Sequence, residues 1–394
     1  MSSLNKAEHD IIEDEMAYEF FIPTRIIFAA GALKRLPSIA GEWGKKPLLM
    51  TGRDSMRRLG ITGRVIKDLE KEKLVVTTFE RVEPNPRVTT IDEAARIFRD
   101  KGLDLIIALG GGSVMDAAKG VAMAASGSKS VWHYIENQAQ PDGHVPPIIA
   151  IPTVAASGSE SNCGAVITNW ATHEKMVLFH KSLYPAVSIV DPELTLHLPL
   201  KQTLEGAVDI FCHLVEPYLT DTNQSLLTDG IRETAMKMVI TGTSSISNNL
   251  KNIGVRTQLS WASTIACSAF ASLGGGGGGM NLHGIEHAVS AYSDVAHGEG
   301  LAALLPTWME YTKPVAEQRF AQLGERVFGD KDSIGSTRRW LESIGMNIRL
   351  RDIVGERELL CKIASTVPKT ANWVAKHPRG MTVDNIMGLY EAAF

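Results

Sequence analysis

Asp209, His213, His283, His287 and His297 are the residues whose types and spacing could do chemistry together. His283 and His287 lie four apart in "NLHGIEHAVSAYSDVAHGEG" (281–300), so on a helix they share a face. His297 follows ahead of "GEG", where a turn would fold it back onto the same point. The chain has only eleven histidines, so three in this short stretch call for a common cause. In "EGAVDIFCHLVE" (205–216), Asp209 and His213 repeat the i,i+4 spacing. Val208, Phe211, Cys212, Leu214 and Val215 surround them, which predicts a buried helix. A buried carboxylate beside a buried imidazole is costly unless paired or coordinated. One carboxylate with several imidazoles and no thiolate suits Fe²⁺ or Zn²⁺, with Mn²⁺ or Co²⁺ also compatible. With an open coordination position, such an ion polarises an alcohol or carbonyl oxygen.

Two further stretches point to a nucleotide. In "LIIALGGGSVMDAAKG" (105–120), Gly110, Gly111 and Gly112 stand where an apolar strand stops and a helix begins. There the backbone can approach an anion, and the N–H groups from Ser113 onward point at it, assisted by the helix dipole. In "IPTVAASGSESN" (151–162), Thr153, Ser157, Ser159 and Asn162 can donate to phosphate or ribose oxygens. Neither G-x-G-x-x-G nor a Walker motif is present. A dinucleotide beside a Lewis acid points to hydride transfer.

The elements that must position these groups follow two periods. "PLLMTG", "KLVVTTFE", "LDLIIALGGG" and "PPIIAIPT" are short apolar runs alternating with helical stretches: "SMRRLGITGRVIKDLEKE", "VTTIDEAARIFRDKG" and "SVMDAAKGVAMAAS". That alternation predicts a parallel sheet with helices on both faces. "AVITN" and "AVSIV" read as further strands, followed by the turn-rich "DPELTLHLPLKQT". Beyond about Leu198 the pattern is helical throughout, in "QTLEGAVDIFCHLVE", "TDGIRETAMKMVITGTSS" and "TQLSWASTIACSAFASL". The expected organisation is an acidic extension over 1–18, an α/β dinucleotide-binding domain over 19–197 and an all-helical metal-binding domain over 198–394. The run Gly274–Gly279 predicts a mobile loop directly ahead of His283, a weak hold on that ligand.

Composition narrows the class. With 44 % hydrophobic and 21 % charged residues the chain is globular, and its net charge of −4 offers no footprint for nucleic acid or an anionic membrane. No apolar run is long enough to span a bilayer. The N-terminal "MSSLNKAEHDIIEDEMAYEF" lacks the order of a signal peptide, so a cytoplasmic location is expected. Cys163, Cys212, Cys267 and Cys361 lie far apart, which disfavours disulfides and thiolate zinc sites.

Taken together, "PTRIIFAAGAL", "EPNP" (83–86), "GGGSVMDAAKG", "IPTVAASGSESN", "DPELT", "GAVDIFCHLVE" and "HGIEHAVSAYSDVAHGEGLA" resemble the iron-containing (group III) alcohol dehydrogenase family over nearly the whole chain. "SGSESNCGAVIT" leans toward the branch of NADPH-dependent aldehyde reductases and butanol dehydrogenases. The resemblance implies a Rossmann-like domain, an all-α C-terminal domain as in dehydroquinate synthase-like folds, and a cleft between them. By motif position it implies metal ligands Asp209, His213, His283 and His297, with Fe²⁺ ahead of Zn²⁺. His287 is then the non-ligand histidine beside the nicotinamide, a proton relay for which a near-neutral pKa is expected. Cofactor contacts are implied for Asn85, Gly111, Gly112, Ser113, Asp116, Thr153, Ser157, Asn162, Val166, Lys175 and Leu194. The family also implies a small alcohol or aldehyde substrate and a homo-oligomer, a dimer or larger.

Two positions depart from the pattern. Where many members place a ribose-binding Asp, "TGRD" (51–54) has Arg53, which favours a 2′-phosphate and hence NADP(H) over NAD. Pro217 is expected to end or kink the helix of Asp209 and His213. The same architecture serves dehydroquinate synthase-like lyases and glycerol dehydrogenase-like enzymes, but a polyanion would call for basic residues around the metal. The apolar flanks "AVDIF", "LVEP" and "HAVSAY" suit a small apolar substrate instead. A catalytically inert sensor is the remaining alternative, and four complete ligand positions speak against it.

Overall fold

Six of the eight strands among the described residues are joined by parallel pairings only, and their composition explains why. They are β1 (Arg25–Phe28), β2 (Pro47–Gly52), β3 (Thr77–Val82), β4 (Leu105–Gly110), β5 (Ile148–Pro152) and β8 (Val187–Val190), in the order β1-β8-β5-β4-β2-β3. Every residue of β4, β5 and β8 is buried, as both faces of a parallel sheet must be when helices cover them. Alternate residues feed opposite cores: Ile106, Ala108 and Ala150 face one side, Ile107, Leu109 and Ile151 the other. This computed structural model describes residues 20–221, 225–273 and 279–394. The expected acidic extension, and the glycine run apart from Gly279, lie outside the described residues.

Strand order locates the ligand crevice. From β2 the chain moves outward to β3, whereas from β4 it moves the opposite way to β5. The helices after β2 and β4 therefore diverge, opening a crevice at the carboxyl ends of these two adjacent strands, where open α/β sheets bind ligands. Gly52–Arg53 and Gly110–Gly112 both border it, since Thr51 pairs with Leu109.

The structure departs from the sequence reading in four places. "RIIF" forms β1, too short to show a period. "AVITN" lies in β6 (Gly164–Asn169), which does not join the main sheet but pairs antiparallel with an unanticipated β7 (Glu174–Phe179). The single helix expected over "SMRRLGITGRVIKDLEKE" divides into Ser55–Arg58 and Ile61–Lys71, because Gly60 takes a left-handed φ of 70°. Pro217 does not end its helix, which runs unbroken from Leu200 to Thr220. It sits in the last turn, where one missing donor is a small loss. From Gly206 to Thr220 every residue is buried, so neighbouring helices hold the rod in shape.

After β8, all described secondary structure is helical, as expected. No helix among the described residues is long and apolar enough to cross a membrane. The Leu200–Thr220 helix forms the axis, and the helices Asn281–Ser293 and His297–Thr312 pack beside it. Gly298 lets the last of these touch it: a Cβ there would stand 2.2 Å from the Glu205 carbonyl oxygen.

His377 closes the outer side of the same helix. Its Nδ1 accepts from the Arg379 N–H at 3.1 Å, and its Nε2 meets the Thr312 hydroxyl, which itself donates to the Trp308 carbonyl. That pattern requires a neutral ring with its proton on Nε2. Burial, followed by the Arg379 charge, lowers its pKa to about 4. The unfolded chain, at about 6.5, takes up the proton first as pH falls. Stability present above pH 6.5 should thus be lost progressively toward pH 4, by roughly 3 kcal/mol at 1.36 kcal/mol per unit. Urea titrations of wild type and His377→Gln across this window should show a shallower loss in the variant; parallel curves would refute the assignment.

Candidate active site

The axial helix presents Asp209 and His213 on one face, and the Asn281–Ser293 helix presents His283 and His287 toward them. His297 arrives as the first residue of the next helix, returned by a turn at Asp294 whose φ is 54°. Asp209 Oδ1 is the meeting point. It lies 3.3 Å from His213 Nδ1, 3.4 Å from His283 Nε2 and 3.7 Å from His297 Nε2. One ligand atom each from Asp209, His283 and His297 falls within 4.8 Å of the others. The His213 ring lies 4.3 Å from that of His283, and the His287 ring 5.4 Å from that of His297. A quarter of the His297 side chain is exposed, so access to the centre is from its side.

Two fully buried carboxylates hold the imidazoles from behind. Glu216 accepts from His283 Nδ1 and, at 2.6 Å, from the Leu282 N–H. Glu286 contacts His297 Nδ1 and accepts from the Ser290 hydroxyl. A carboxylate on Nδ1 fixes the tautomer and leaves the Nε2 lone pair for an ion, the arrangement typical of histidine metal ligands. The sequence reading missed both residues. Local spacing gave no signal for these pairings: Glu216 lies three after His213 but engages His283, and Glu286 lies three after His283 but engages His297. Glu216 also anchors the start of the ligand helix, so His283 is held through its ring and through the backbone of the first turn.

The donor set fits a divalent cation. His213 Nδ1 is buried 3.3 Å from Asp209 Oδ1 yet makes no hydrogen bond among the described residues, a costly state for a polar atom unless an ion uses it. Burial works against the Asp209 charge, but His213, His283 and His297 hold its carboxyl far below the usual range. Burial likewise opposes a charge on His283, yet Glu216 and Asp209 raise its pKa to about 10. The glutamate Glu286 could also group with His287 and His297 around a cation, but its oxygens are already engaged by His297 and Ser290. His287 differs from the near-neutral expectation. Burial first, then Lys175 and the neighbouring imidazoles, push its pKa well below the ordinary value, and its Nδ1 has no partner.

The serine loop abuts the Asp209 helix, where a Cβ on Gly206 would stand 2.2 Å from the Ala155 carbonyl oxygen, and the glycine loop meets the serine loop. Gly111 precedes and Gly112 begins the Gly112–Ala125 helix, followed by Ser113, so their N–H groups lie at its positive end. A Cβ on Gly112 would stand 2.5 Å from Ser157 Oγ, so only glycine lets the two loops meet. Thr153 continues β5 and donates its N–H to the Gly110 carbonyl. Asp116 and Asn162, expected to contact the cofactor, also have partners within the protein. Asp116 accepts from the Ser159 hydroxyl at 2.7 Å and the Val166 N–H at 2.9 Å. Asn162 Oδ1 accepts from Lys119, whose buried ammonium also reaches Ser159 and the Gly164 carbonyl. Lys119 is a third residue the sequence reading missed, a clamp on the serine loop. Burial lowers its pKa to about 8 despite the nearby Asp116. Leu194 is buried against the sheet, on a short 3₁₀ turn capped by Asp191. Arg53 is exposed beyond β2.

Lys175 bridges the two halves. It is buried on β7, donates to Asn85 Oδ1 at 2.9 Å, and is close enough to feel Glu286, Asp116, Asp209 and Asp294. Burial, the largest influence on it, lowers its pKa. If Glu216 orients His283, Glu216→Gln should weaken binding of Zn²⁺ by about 10- to 100-fold, the usual effect of removing such a partner. Competition against a chromophoric chelator measures this; unchanged affinity would refute it.

Known proteins share this sequence and fold. Residues 23–192 match the family described as "Iron-containing alcohol dehydrogenase", and residues 203–394 match "Fe-containing alcohol dehydrogenase family, C-terminal". NADH-dependent butanol dehydrogenase B of Clostridium acetobutylicum is 32 % identical over 386 residues, 95 % of this chain and 98 % of that protein. The NADPH-dependent aldehyde reductase YqhD of Escherichia coli is 27 % identical, covering 95 % of this chain and 99 % of its own. The crystal structure of NADH-dependent butanol dehydrogenase A from Thermotoga maritima superposes with a TM-score of 0.92 at 28 % identity, covering 97 % of this chain and all of that one. Two family domains across the chain, and relatives matched nearly end to end, lead to one assignment: the chain belongs to the iron-containing alcohol dehydrogenase family.

Proposed function

We propose that this protein is a metal-dependent oxidoreductase that transfers a hydride between NAD(P)H and a small alcohol–aldehyde pair. One observation carries the reading: Asp209 and its imidazoles converge across a cleft from a glycine-lined helix start at the sheet's crevice. Relatives named as butanol dehydrogenases and aldehyde reductases support the substrate class. A divalent ion held by Asp209, His213, His283 and His297, Fe²⁺ or else Zn²⁺, supplies Lewis-acid polarisation of the substrate oxygen, and the nicotinamide supplies the hydride position.

The chain's own residues do the rest. The N–H groups of Gly111, Gly112 and Ser113 receive the pyrophosphate, with Thr153 and Ser157 on the facing loop. Lys175 and Asn85 take ribose hydroxyls at the inner end of the cleft, while Val166 and Leu194 border the cofactor. Asp116 and Asn162 act by holding the loops in shape. The burial of Asp209, His213 and His283 keeps water from the reacting carbon. His287, neutral and with an Nδ1 unpartnered among the described residues, passes the hydroxyl proton on toward solvent in oxidation and back in reduction, its lowered pKa suiting a relay that does not retain the proton. We further read the chain as two domains meeting near residue 197, consistent with the separate family matches on either side. A cytoplasmic homo-oligomer fits four free cysteines and the outer edge of β1, which pairs with no other described strand.

His287→Ala should lower kcat about 10²–10⁴-fold, the scale of general acid–base catalysis, with metal content kept. Loss of metal from this variant would mark His287 as a ligand and overturn the relay.

For the cofactor we propose NADP(H). Arg53 stands at the end of β2, beside the crevice, with no ion pair among the described residues. Its guanidinium can bind a 2′-phosphate through charge-assisted bonds. Asp54 starts the next helix without capping it, so its carboxylate is the competing feature that would favour NADH. Steady-state reduction of C2–C4 aldehydes by the Fe²⁺-loaded enzyme tests both function and preference. NADPH should win by roughly tenfold or more in kcat/KM, about 1.4 kcal/mol, and Arg53→Ala should erase the margin. An unchanged ratio in the variant refutes the role of Arg53; no turnover with any aldehyde refutes the function.

A further inference from the structure

The end of the ligand helix that leads into His297 is gripped from the other domain. Asp294 caps that helix in the left-handed region, which aspartate and asparagine tolerate better than most residues. Its Oδ1 accepts from Asn85 Nδ2 at 2.9 Å, and its Oδ2 pairs with Arg87 at 2.7 Å. Asn85 Nδ2 also reaches the Val295 carbonyl at 3.3 Å. Arg87 is itself braced, its guanidinium 4.0 Å above the Trp170 ring. One turn back, His173 Nδ1 contacts the Ala291 carbonyl at 3.0 Å, and its ring stacks on Tyr292 at 4.8 Å. Asn85, Arg87, Trp170 and His173 all belong to the α/β half of the chain.

Asn85 holds the other end of this link. It too is left-handed, with φ 52°, and its Oδ1 accepts from Lys175. One side chain thus has its amide nitrogen on the turn that aims His297 and its oxygen on the lysine facing the cofactor cleft. We propose that Asp294 is a positioning residue that couples nucleotide binding to the metal centre through Asn85 and Arg87. The inference rests on the dehydrogenase reading in one respect, that a nucleotide contacts Asn85 and Lys175. A nucleotide that fixes Asn85 and Lys175 favours the arrangement in which Asp294 is clamped and His297 points at Asp209. An ion at Asp209 favours the same arrangement. Each should therefore tighten the other, and by the same factor, as linkage requires.

The test uses Co²⁺, whose visible absorption reports its ligand field, and NADPH, whose nicotinamide carries no positive charge. Co²⁺ affinity is measured by chelator competition with and without saturating NADPH, and NADPH affinity by fluorescence with and without Co²⁺. In the wild type NADPH should tighten Co²⁺ at least fivefold, with the reciprocal factor equal. Asp294→Gly keeps the left-handed backbone but removes both side-chain links, so the factor should fall to about one. Arg87→Met leaves Asp294 and the backbone in place, guards against a folding defect, and should reduce the factor in the same direction. A wild-type factor of one, or an undiminished factor in both variants, overturns the coupling and leaves the dehydrogenase reading standing. A wild type that binds neither Co²⁺ nor NADPH overturns both.

Discussion

Asp209 is a carboxylate in the middle of a helix with no solvent-facing side, and much of the molecule answers the cost of putting it there. An isolated charge in such a place would be expelled or neutralised. Here three imidazoles close around it, and two of these are themselves held by buried glutamates. The result is a chain of alternating acids and bases, Glu216–His283–Asp209–His297–Glu286, running across three helices. Each member needs its neighbours to remain charged or oriented, so the helices carrying them can pack in only a narrow range of positions. Gly298 and Gly300 belong to the same constraint: a Cβ on Gly298 would strike the Glu205 carbonyl, and one on Gly300 would lie 2.4 Å from Glu286 Oε1.

The α/β half solves a different problem with different means. A nucleotide crevice needs backbone donors at the carboxyl ends of strands, with no side chain in the way, and loops that keep their shape. Glycine supplies the first at Gly111 and Gly112. The second comes from Lys119 and Asp116, one turn apart on the following helix, which tie down the serine loop from beneath. Burying that lysine is costly, which is why its pKa falls, and four oxygens around the ammonium offset part of the cost.

The two halves meet where neither is regular. The β6–β7 ribbon stands apart from the main sheet and carries Lys175, Trp170 and His173 toward the helical half. Three left-handed non-glycine residues lie at this junction, Asn85, His173 and Asp294, and the first and last are bonded to each other. Strain of this kind persists where the surroundings over-determine it, and it often marks a working part.

The sequence by itself determined the parallel sheet, the helical second half and the candidate ligands. These are written in local periods: continuous apolar runs for buried strands, and pairs four apart for residues sharing a helix face. It could not show Glu216 and Glu286 as partners of the histidines, because a lone glutamate on a helix is ordinary until the facing helix is in place. For the same reason the protein partners of Asp116 and Asn162 were not legible: they depend on Lys119, Ser159 and Val166 arriving from elsewhere. The short β1 and the charged β7 carry too little pattern to be read alone and exist because partners pair with them. Pro217 is the converse, a local signal to stop that burial on every side overrode. Periodicity is a property of neighbours along the chain; satisfaction of a buried polar group is a property of neighbours in space, and only the tertiary structure decides it.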